Sequence, residues 1–287
     1  MASVLDELIA LLALERLEMN LFRGQSQDLG WGLVFGGQVL GQALSAAQQT
    51  VPDDRHVHSL HAYFLRPGDA KHPIVYDVDR IRDGKSFTTR RVVAIQNGRP
   101  IFSLASSFQL EETGFDHQAA MPTAPAPEGL PNERELWRQK LSLIPPAFHA
   151  QATAERPIEL VPIDPVDPLA PETMPATHQV WARAAGELPD DPTLHRYLLA
   201  YCSDFSFVTT ALRPHAKTWL NPRMQIASID HSMWFHRPFR MDQWLLHAME
   251  SPSASGGRGL VRGQFFTRDG VLVASTAQEG LIRHRAG

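Results

Sequence analysis

Apolar and polar positions follow two different periods along this chain, and the order in which the periods alternate occurs twice. In the first half, apolar residues at helical spacing predict an amphipathic helix over residues 3–16 and a second helix from Phe35 to about Thr50. Runs with the alternation typical of strands, bounded by turn residues, surround the second helix. The strands predicted in this half are 21–23, 56–65, 73–80, 86–96 and 100–110.

The second half repeats this order after a connecting segment. Four prolines within residues 118–132 indicate a linker, and residues 133–143 are predicted to form a helix. A further helix is predicted over residues 192–203, where leucines and tyrosines fall on one face. The strands predicted in this half are 159–162, 178–184, 225–236, 243–251, 259–267 and 271–278.

Direct similarity between the two halves indicates a duplication. Residues 64–67, FLRP, correspond to residues 235–238, FHRP, at an offset of 171 positions (238 minus 67), and Arg91 corresponds to Arg262 at the same offset. An Asn-Gly hairpin signal at 97–98 corresponds to Asp-Gly at 269–270 with one residue inserted. One supersecondary unit therefore occurs twice.

A helix followed by an antiparallel meander, present twice, fits the hotdog arrangement, in which a sheet wraps a central helix. The predicted fold class is α+β, a double hotdog whose fused halves pair edge to edge into one extended sheet. Such pairing also covers two sheet edges that would otherwise be open. The predicted units are an N-terminal hotdog over residues 1–117, a Pro-rich linker with a short helix over residues 118–156, and a C-terminal hotdog over residues 157–287.

Composition narrows the classes of function. Apolar residues make up 43% and charged residues 20%, as in globular proteins, and the net charge of −4 provides no basic field for nucleic acid. With Cys202 as the one cysteine, neither an intrachain disulfide nor a cysteine-based zinc site can form. The sequence shows no signal peptide, no apolar run of membrane-spanning length and no peroxisomal C-terminal address, so the cytoplasm is the predicted location.

Familiar catalytic signatures are absent from the sequence, including the Gly-x-Ser-x-Gly elbow, the phosphate-binding loop and the dinucleotide-binding glycine motif. On a strand, His56 and His58 share a face while His61 points to the other, which favours ordinary strand histidines over a metal site. Cys202 has neither an evident base nor a signal for a lowered pKa, which favours a buried thiol over a nucleophile.

Asp204 is the more informative polar residue. It follows the apolar helix and precedes a run of aromatic and apolar residues, so it is either a helix cap or turn residue or a functional carboxylate. Gln278, at the end of the last predicted strand, is either a polar edge residue or part of a site, and its counterpart in the first half is Ser106. Ser228, on strand 225–236, is unremarkable by itself.

Several long motifs together resemble bacterial acyl-CoA thioesterase II, nearly from end to end. They are Gly24-Gln25-Ser26, Phe35-Gly36-Gly37-Gln38, His58-Ser59, residues 63–68 (YFLRPG), residues 230–238 (DHSMWFHRP) and residues 273–280 (VASTAQEG). The resemblance implies a double hotdog that hydrolyses fatty acyl-CoA to free acid and CoA, with no cofactor and no metal. In that family an Asp, a Thr and a Gln hold the nucleophilic water; these positions match Asp204, Ser228 and Gln278, so serine replaces threonine here.

The resemblance implies a direct attack by water on the thioester, with ionised Asp204 as general base and the other two side chains fixing the water. Phe205 and Phe207 are candidates to line an acyl tunnel. The candidate cations for the CoA phosphates are Arg66, Arg237, Arg258 and Arg262, each of which is otherwise a solvated surface arginine. The first half lacks an equivalent trio, so one catalytic centre per chain is predicted.

Two other readings of the sequence remain open at this point. A hotdog acyl-CoA hydratase or dehydratase would use a histidine with a carboxylate, and His231 lies three residues from Ser228. A non-catalytic acyl-CoA-binding protein is the third possibility, although it would gain nothing from a water-orienting trio. Because hotdog sheets commonly pair further, a homodimer or homotetramer is predicted.

Overall fold

The protein is described by a computed structural model over residues 2–30 and 32–285, so the outermost positions of the predicted domains, residues 1, 286 and 287, lie outside the described residues. The first half contains α1 (Val4–Leu12), β1 (Glu15–Glu18), β2 (Leu21–Gly24), α2 (Gly36–Gln48), β3 (Arg55–Phe64), β4 (Ile74–Asp83), β5 (Phe87–Gln96) and β6 (Arg99–Leu110). The connecting segment contains α3 (Glu133–Arg138) and α4 (His149–Thr153), with 3₁₀ turns at Leu141–Leu143 and Pro146–Phe148. The second half contains β7 (Ile158–Pro162), β8 (Thr177–Ala184), α5 (Pro192–Cys202), α6 (Phe207–Thr210), a 3₁₀ turn at Arg213–His215, β9 (Met224–Ser228), β10 (Asp230–Phe235), β11 (Leu245–Ser255), β12 (Arg258–Thr267) and β13 (Leu272–His284).

The strands form one antiparallel sheet in which the two halves are arranged symmetrically about the centre. The order is β1-β2-β4-β5-β6-β3-β10-β13-β12-β11-β8-β7, with β9 paired to β13 beside this path. Each first-half strand has its second-half counterpart at the same distance from the central β3–β10 pair. The predicted α+β class and the single extended sheet of two fused halves are therefore confirmed.

The two halves meet along β3 and β10, and the sequence offset reappears in their pairing. His61 lies opposite Ser232, 171 positions later, and the two side chains hydrogen-bond at 3.1 Å between Nδ1 and Oγ. The approximate twofold relation between the halves therefore passes through this residue pair. The same offset relates two surface ion pairs, Asp79 with Arg91 and Glu250 with Arg262.

Helix α2 lies against α5, and two glycines on α2 make this close approach possible. A Cβ atom added to Gly37 would lie 2.2 Å from the carbonyl oxygen of Tyr201, and one added to Gly41 would lie 3.2 Å from that of Tyr197. Nearly every residue of α2 from Gly37 to Ala47 is buried. Gly37 and Gly41 are therefore required for the packing of α2 against α5, between the halves.

A β-bulge interrupts the strand that was predicted over residues 225–236. Along β13, Ser228 lies opposite Gly280 whereas Ser232 lies opposite Ala277, so four steps on one strand face three on the other. An extra residue of this kind bends a strand and ends regular pairing. The prediction of one continuous strand was wrong, and β9 and β10 replace it.

The corresponding bulge in the first half corrects the prediction for the histidines. β3 shifts register against β6 between Val57 and Ser59. The added residue inverts the alternation, so His61 lies on the same face as His56 and not on the opposite one.

Two predicted helices are shorter than expected. The first ends at Leu12, and residues 15–18 form an exposed edge strand paired with β2, which helical apolar spacing could not reveal. The helix predicted over 133–143 ends at Arg138 and is followed by a 3₁₀ turn.

Candidate active site

Asp204 lies just after α5, in the turn that leads to α6. Its Oδ1 accepts a hydrogen bond from Gln278 Nε2 at 3.1 Å and a longer one from Ser228 Oγ at 3.4 Å. Burial raises the pKa of the Asp204 carboxyl, while these two side chains and the backbone N–H of Gly37 act in the opposite direction. The structure therefore brings together the three residues that the sequence singled out.

The β-bulge places Ser228 in this group. Because Ser228 lies opposite Gly280, two positions beyond Gln278 on β13, it shares the inner face of the sheet with Gln278. In an unbroken strand it would share the outer face with Ser232, which lies opposite Ala277. One extra residue thus decides which side of the sheet this hydroxyl faces.

The N-terminus of α2 closes the site from the first half of the molecule. A Cβ atom on Gly36 would lie 2.5 Å from Asp204 Oδ2, so only glycine leaves room for the carboxylate here. The positive end of a helix of 13 residues also favours the ionised form of a nearby carboxyl group. The sequence analysis identified Gly36 and Gly37 as part of a family motif and gave them no role in the site. The two adjacent glycines at the start of a helix were the feature that could have indicated that role.

Neighbouring aromatic residues fix the turn that carries Asp204. Phe205 stacks on Phe35, with ring centroids 4.4 Å apart, and Tyr201 packs edge-on against both. Ser206 has a φ of +61°, in the left-handed region. Such a turn holds Asp204 between α5 and the start of α2.

A cavity of ≈ 1410 Å³ reaches this turn at Phe205, while Asp204, Ser228 and Gln278 are not themselves part of its wall. Phe205, next to Asp204 in the chain, is part of its wall, whereas Phe207 is fully buried between His231 and His247 and does not line it. The connecting segment over residues 118–156, predicted as a linker, supplies much of the wall. Apolar side chains of the wall include Leu29, Trp137, Leu143, Phe148, Phe205 and Trp219.

The four arginines predicted to bind phosphate do not line this cavity. Each has a separate partner in the protein: Arg66 the Pro100 carbonyl, Arg237 the Asp116 carboxylate, Arg258 Glu279 and Arg262 Glu250. Their hydrogen bonds therefore run to four different places on the surface.

Other charged residues, which the sequence did not reveal, lie in the cavity wall. Arg134, Arg183 and Arg240 are paired with acidic residues, whereas Arg156 donates to the Gln151 carbonyl at 3.4 Å. Burial raises the pKa of Glu133 to about 7, with Arg156 opposing that shift. No sequence motif marks these positions: Arg134 and Arg156 lie in the connecting segment, Arg183 lies on β8, and Arg240 lies between β10 and β11.

The remaining candidates give no support to metal or thiol chemistry. Over residues 2–30 and 32–285, no three histidine, cysteine or acidic side chains are grouped so that they could hold a metal ion. Burial raises the pKa of the Cys202 thiol to about 12, so it is not a thiolate near neutral pH. Across the described chain, no helix has the length and apolar character needed to cross a membrane.

His231 is fully buried on β10 and does not line the cavity. Its Nε2 lies 2.9 Å from Ser203 Oγ, and burial lowers the pKa of the ring to about 4. The hydratase reading needs a histidine with a carboxylate beside the substrate, and His231 has a hydroxyl partner inside the core instead.

Known proteins resemble the chain over its whole length. The family model described as "Acyl-CoA thioesterase" matches residues 149–281, and that described as "Acyl-CoA thioesterase N-terminal domain" matches residues 26–109. The chain is 48% identical over 283 residues to Acyl-CoA thioesterase 2 of Haemophilus influenzae, covering 99% of both. It is 44% identical to the solved acyl-CoA thioesterase II TesB2 of Mycobacterium marinum, covering 98% of both with a TM-score of 0.80.

A more distant structure supports the fold alone. A protein of unknown function with a hot dog fold from Alicyclobacillus acidocaldarius is 20% identical, covers 100% of both chains and has a TM-score of 0.78. Identity of nearly half over the full length goes beyond a shared fold. The chain therefore belongs to the acyl-CoA thioesterase II family and is a double hotdog enzyme that hydrolyses acyl-CoA thioesters.

Proposed function

We propose that the enzyme hydrolyses fatty acyl-CoA to free fatty acid and CoA, with Asp204 as the base that activates water and with Ser228 and Gln278 as the groups that fix this water. The observation that carries the proposal is the meeting of both polar side chains on one carboxylate oxygen, Oδ1 of Asp204. Together they form a compact polar centre, and Phe205, the residue after Asp204, connects it to the wall of the cavity.

The chemistry requires little beyond this centre. A thioester carbonyl is electrophilic and a thiolate leaves readily, so a well-placed water can attack without a covalent enzyme intermediate. Asp204 accepts the proton of that water as it attacks, and its raised pKa makes it a stronger base than an ordinary aspartate. The N-terminal turn of α2 supplies backbone dipoles that stabilise the oxyanion of the tetrahedral intermediate.

The cavity is the proposed site of the acyl chain. Its volume of ≈ 1410 Å³ exceeds the roughly 300–1,000 Å³ typical of small-molecule sites, and aromatic and aliphatic side chains form much of its wall. Arg156 is the wall arginine without an acidic partner within ion-pair distance, and we assign it the role of attracting the anionic CoA portion.

Release of free thiol from a panel of acyl-CoAs, short to long, tests the proposal with wild type and Asp204→Asn side by side. The isosteric amide cannot accept the proton, so we expect kcat to fall by roughly 10²–10⁴-fold while the thermal unfolding temperature stays near that of wild type. Thiol release at the wild-type rate by the folded variant would remove Asp204 from the mechanism.

The same assay separates the alternatives. A hydrated acyl-CoA in place of free CoA would indicate a hydratase, and binding without turnover would indicate an acyl-CoA-binding protein. Gln278 and Ser228 on one carboxylate favour hydrolysis, because neither alternative requires them.

Self-association is part of the proposal. Aromatic side chains are exposed on the outer face of the sheet, among them Tyr63 and Trp234 near the seam, with 59% and 36% of their surfaces accessible. A homodimer or homotetramer would bury them. Light scattering at several concentrations measures the mass, and the mass of a monomer at every concentration would contradict self-association.

The cytoplasmic location stays a prediction from the sequence.

A further inference from the structure

A polar chain runs from Asp204 into the core. Gln278 is 1% exposed and donates from Nε2 to Asp204, which leaves its Oε1 on the other arm of the amide. His231, with no exposed surface, lies on the neighbouring strand and contacts Ser203 at the end of α5. Buried polar side chains are rarely tolerated in a core without a full set of hydrogen bonds.

Two buried atoms in this group of polar side chains lack a hydrogen-bond partner. His231 Nδ1 and Gln278 Oε1 are both buried, and neither completes a hydrogen bond with another group. The Gln278 side chain nevertheless acts on the imidazole, since it raises the pKa of His231 against the larger effect of burial. Ser232 pairs with Ala277, so His231 and Gln278 occupy adjoining positions on paired strands, where a ring N–H at Nδ1 would complement the unpaired amide oxygen.

Because the ring is neutral, this interaction depends on which ring nitrogen carries the proton. With its pKa lowered to about 4, His231 carries one ring proton near pH 7. If the Ser203 hydroxyl donates to Nε2, the proton lies on Nδ1 and can be donated to Gln278 Oε1. If instead that hydroxyl donates to the Ala200 carbonyl, 2.9 Å away, Nδ1 presents a lone pair and two buried acceptors face each other.

We propose that His231 is a positioning residue: as the Nδ1–H tautomer, held by Ser203, it fixes Oε1 of Gln278 and so keeps Nε2 of that amide on Asp204. The inference rests on the proposed function, because it assigns a purpose to the Gln278–Asp204 contact. Without the ring donor, Oε1 is no longer held, so the amide can rotate and Nε2 can leave the carboxylate of Asp204.

The surroundings contain few other groups that could produce the same effect. Asp204 is faced by Gln278, Ser228 and the Gly37 amide. His231 is faced by Gln278, Ser203, Phe207 and a second buried histidine, His247, whose pKa lies well below its ordinary value. His247 is also neutral and adds no charge near the site. When the Gln278 amide no longer donates to Asp204, the pKa of Asp204 therefore rises.

Two amide replacements test the proposal, because each reproduces one ring nitrogen. His231→Asn keeps a donor near the Nδ1 position, facing Gln278, and loses the contact with Ser203. His231→Gln reaches the Nε2 position, keeps the contact with Ser203 and loses the one with Gln278. The measurements are kcat, KM, the acid limb of the kcat/KM profile and the thermal unfolding temperature, with a thiol-release assay.

We expect the acid limb to move to higher pH in His231→Gln and to stay near its wild-type position in His231→Asn. The kcat of His231→Gln should be about tenfold below that of His231→Asn, the usual effect of one hydrogen bond, with KM little changed. A purely structural histidine would lower the unfolding temperature of both variants and leave both acid limbs in place, which would overturn the proposal.

His231→Phe provides a second route if His231→Gln does not fold. It keeps an aromatic ring in the core and removes both ring nitrogens, so the acid limb should again move upward, and an unchanged limb contradicts the inference. Asp204→Asn separates this result from the proposed function. If that variant turns over normally, the proposed base is wrong; if it is inactive while His231→Asn and His231→Gln behave alike, only the role of His231 fails.

Discussion

At Asp204, two opposing effects act on one carboxyl group. Burial disfavours the charged form, whereas Gln278, Ser228 and the Gly37 amide favour it. The balance leaves the pKa above that of an ordinary aspartate, so the carboxylate gains basicity and is still ionised above its own pKa. Activity should therefore be lost as the pH falls through this raised pKa.

Ser228 holds the position at which the resemblance to the family implies a threonine. Ser228→Ala removes a hydrogen bond to Asp204 and should lower kcat by about tenfold. Ser228→Thr keeps the hydroxyl and restricts its rotamers through β-branching, so its kcat should equal or modestly exceed that of wild type. Steady-state kinetics of the two variants measures both effects, and a kcat for Ser228→Ala equal to that of wild type would show that the 3.4 Å contact plays no part.

At the scale of the elements, helix packing and strand irregularity place the site. Sequence patterns predicted α2, α5 and most strands, because apolar periodicity reports which face of an element is buried. They did not predict the bulges in the two central strands, since one inserted residue leaves no compositional trace. Those bulges decide that Ser228 faces inward and that His61 faces the same side as His56.

Gly37→Ala tests the contact between α2 and α5. The new methyl group meets the Tyr201 backbone oxygen at 2.2 Å, so the helices must separate, at a cost of about 1–3 kcal/mol in unfolding free energy. The kcat should fall as well, because the Gly37 N–H donates to Asp204.

Gly114→Ala is the matched control, since nothing lies within 4 Å of a Cβ atom at that position. Its unfolding free energy should change by less than about 1 kcal/mol. Equal stability of the two variants in denaturant titrations would contradict the close packing inferred for α2 and α5.

For the whole molecule, duplication produced a symmetric sheet but an asymmetric site. The first-half positions that correspond to Ser228 and Gln278 hold Val57 and Ser106. Val57 is an apolar core residue, and the Ser106 hydroxyl is buried without a partner. Neither supplies the hydrogen bonds that Asp204 receives.

This asymmetry agrees with the prediction of one catalytic centre per chain. Asp204→Asn should therefore lower kcat by the same factor for every acyl-CoA in a chain-length panel. Residual activity with a different chain-length preference would require a second centre in the first half. A matched Ser106→Ala variant should keep the wild-type kcat for all chain lengths.

The sequence by itself determined the duplicated α+β architecture and the family to which the chain belongs, and through the resemblance to that family it proposed Asp204, Ser228 and Gln278 as the site. These conclusions rest on periodicity, internal repetition and long motifs, all of which are local properties of the chain. Only the tertiary structure decided that the start of α2 closes the site, that the connecting segment walls the cavity and that Phe207 lies in the core. It also decided that His231 and Gln278 are both buried on neighbouring strands. Such relations depend on contacts between segments distant in sequence, and one inserted residue or one glycine changes them without altering the pattern of apolar positions.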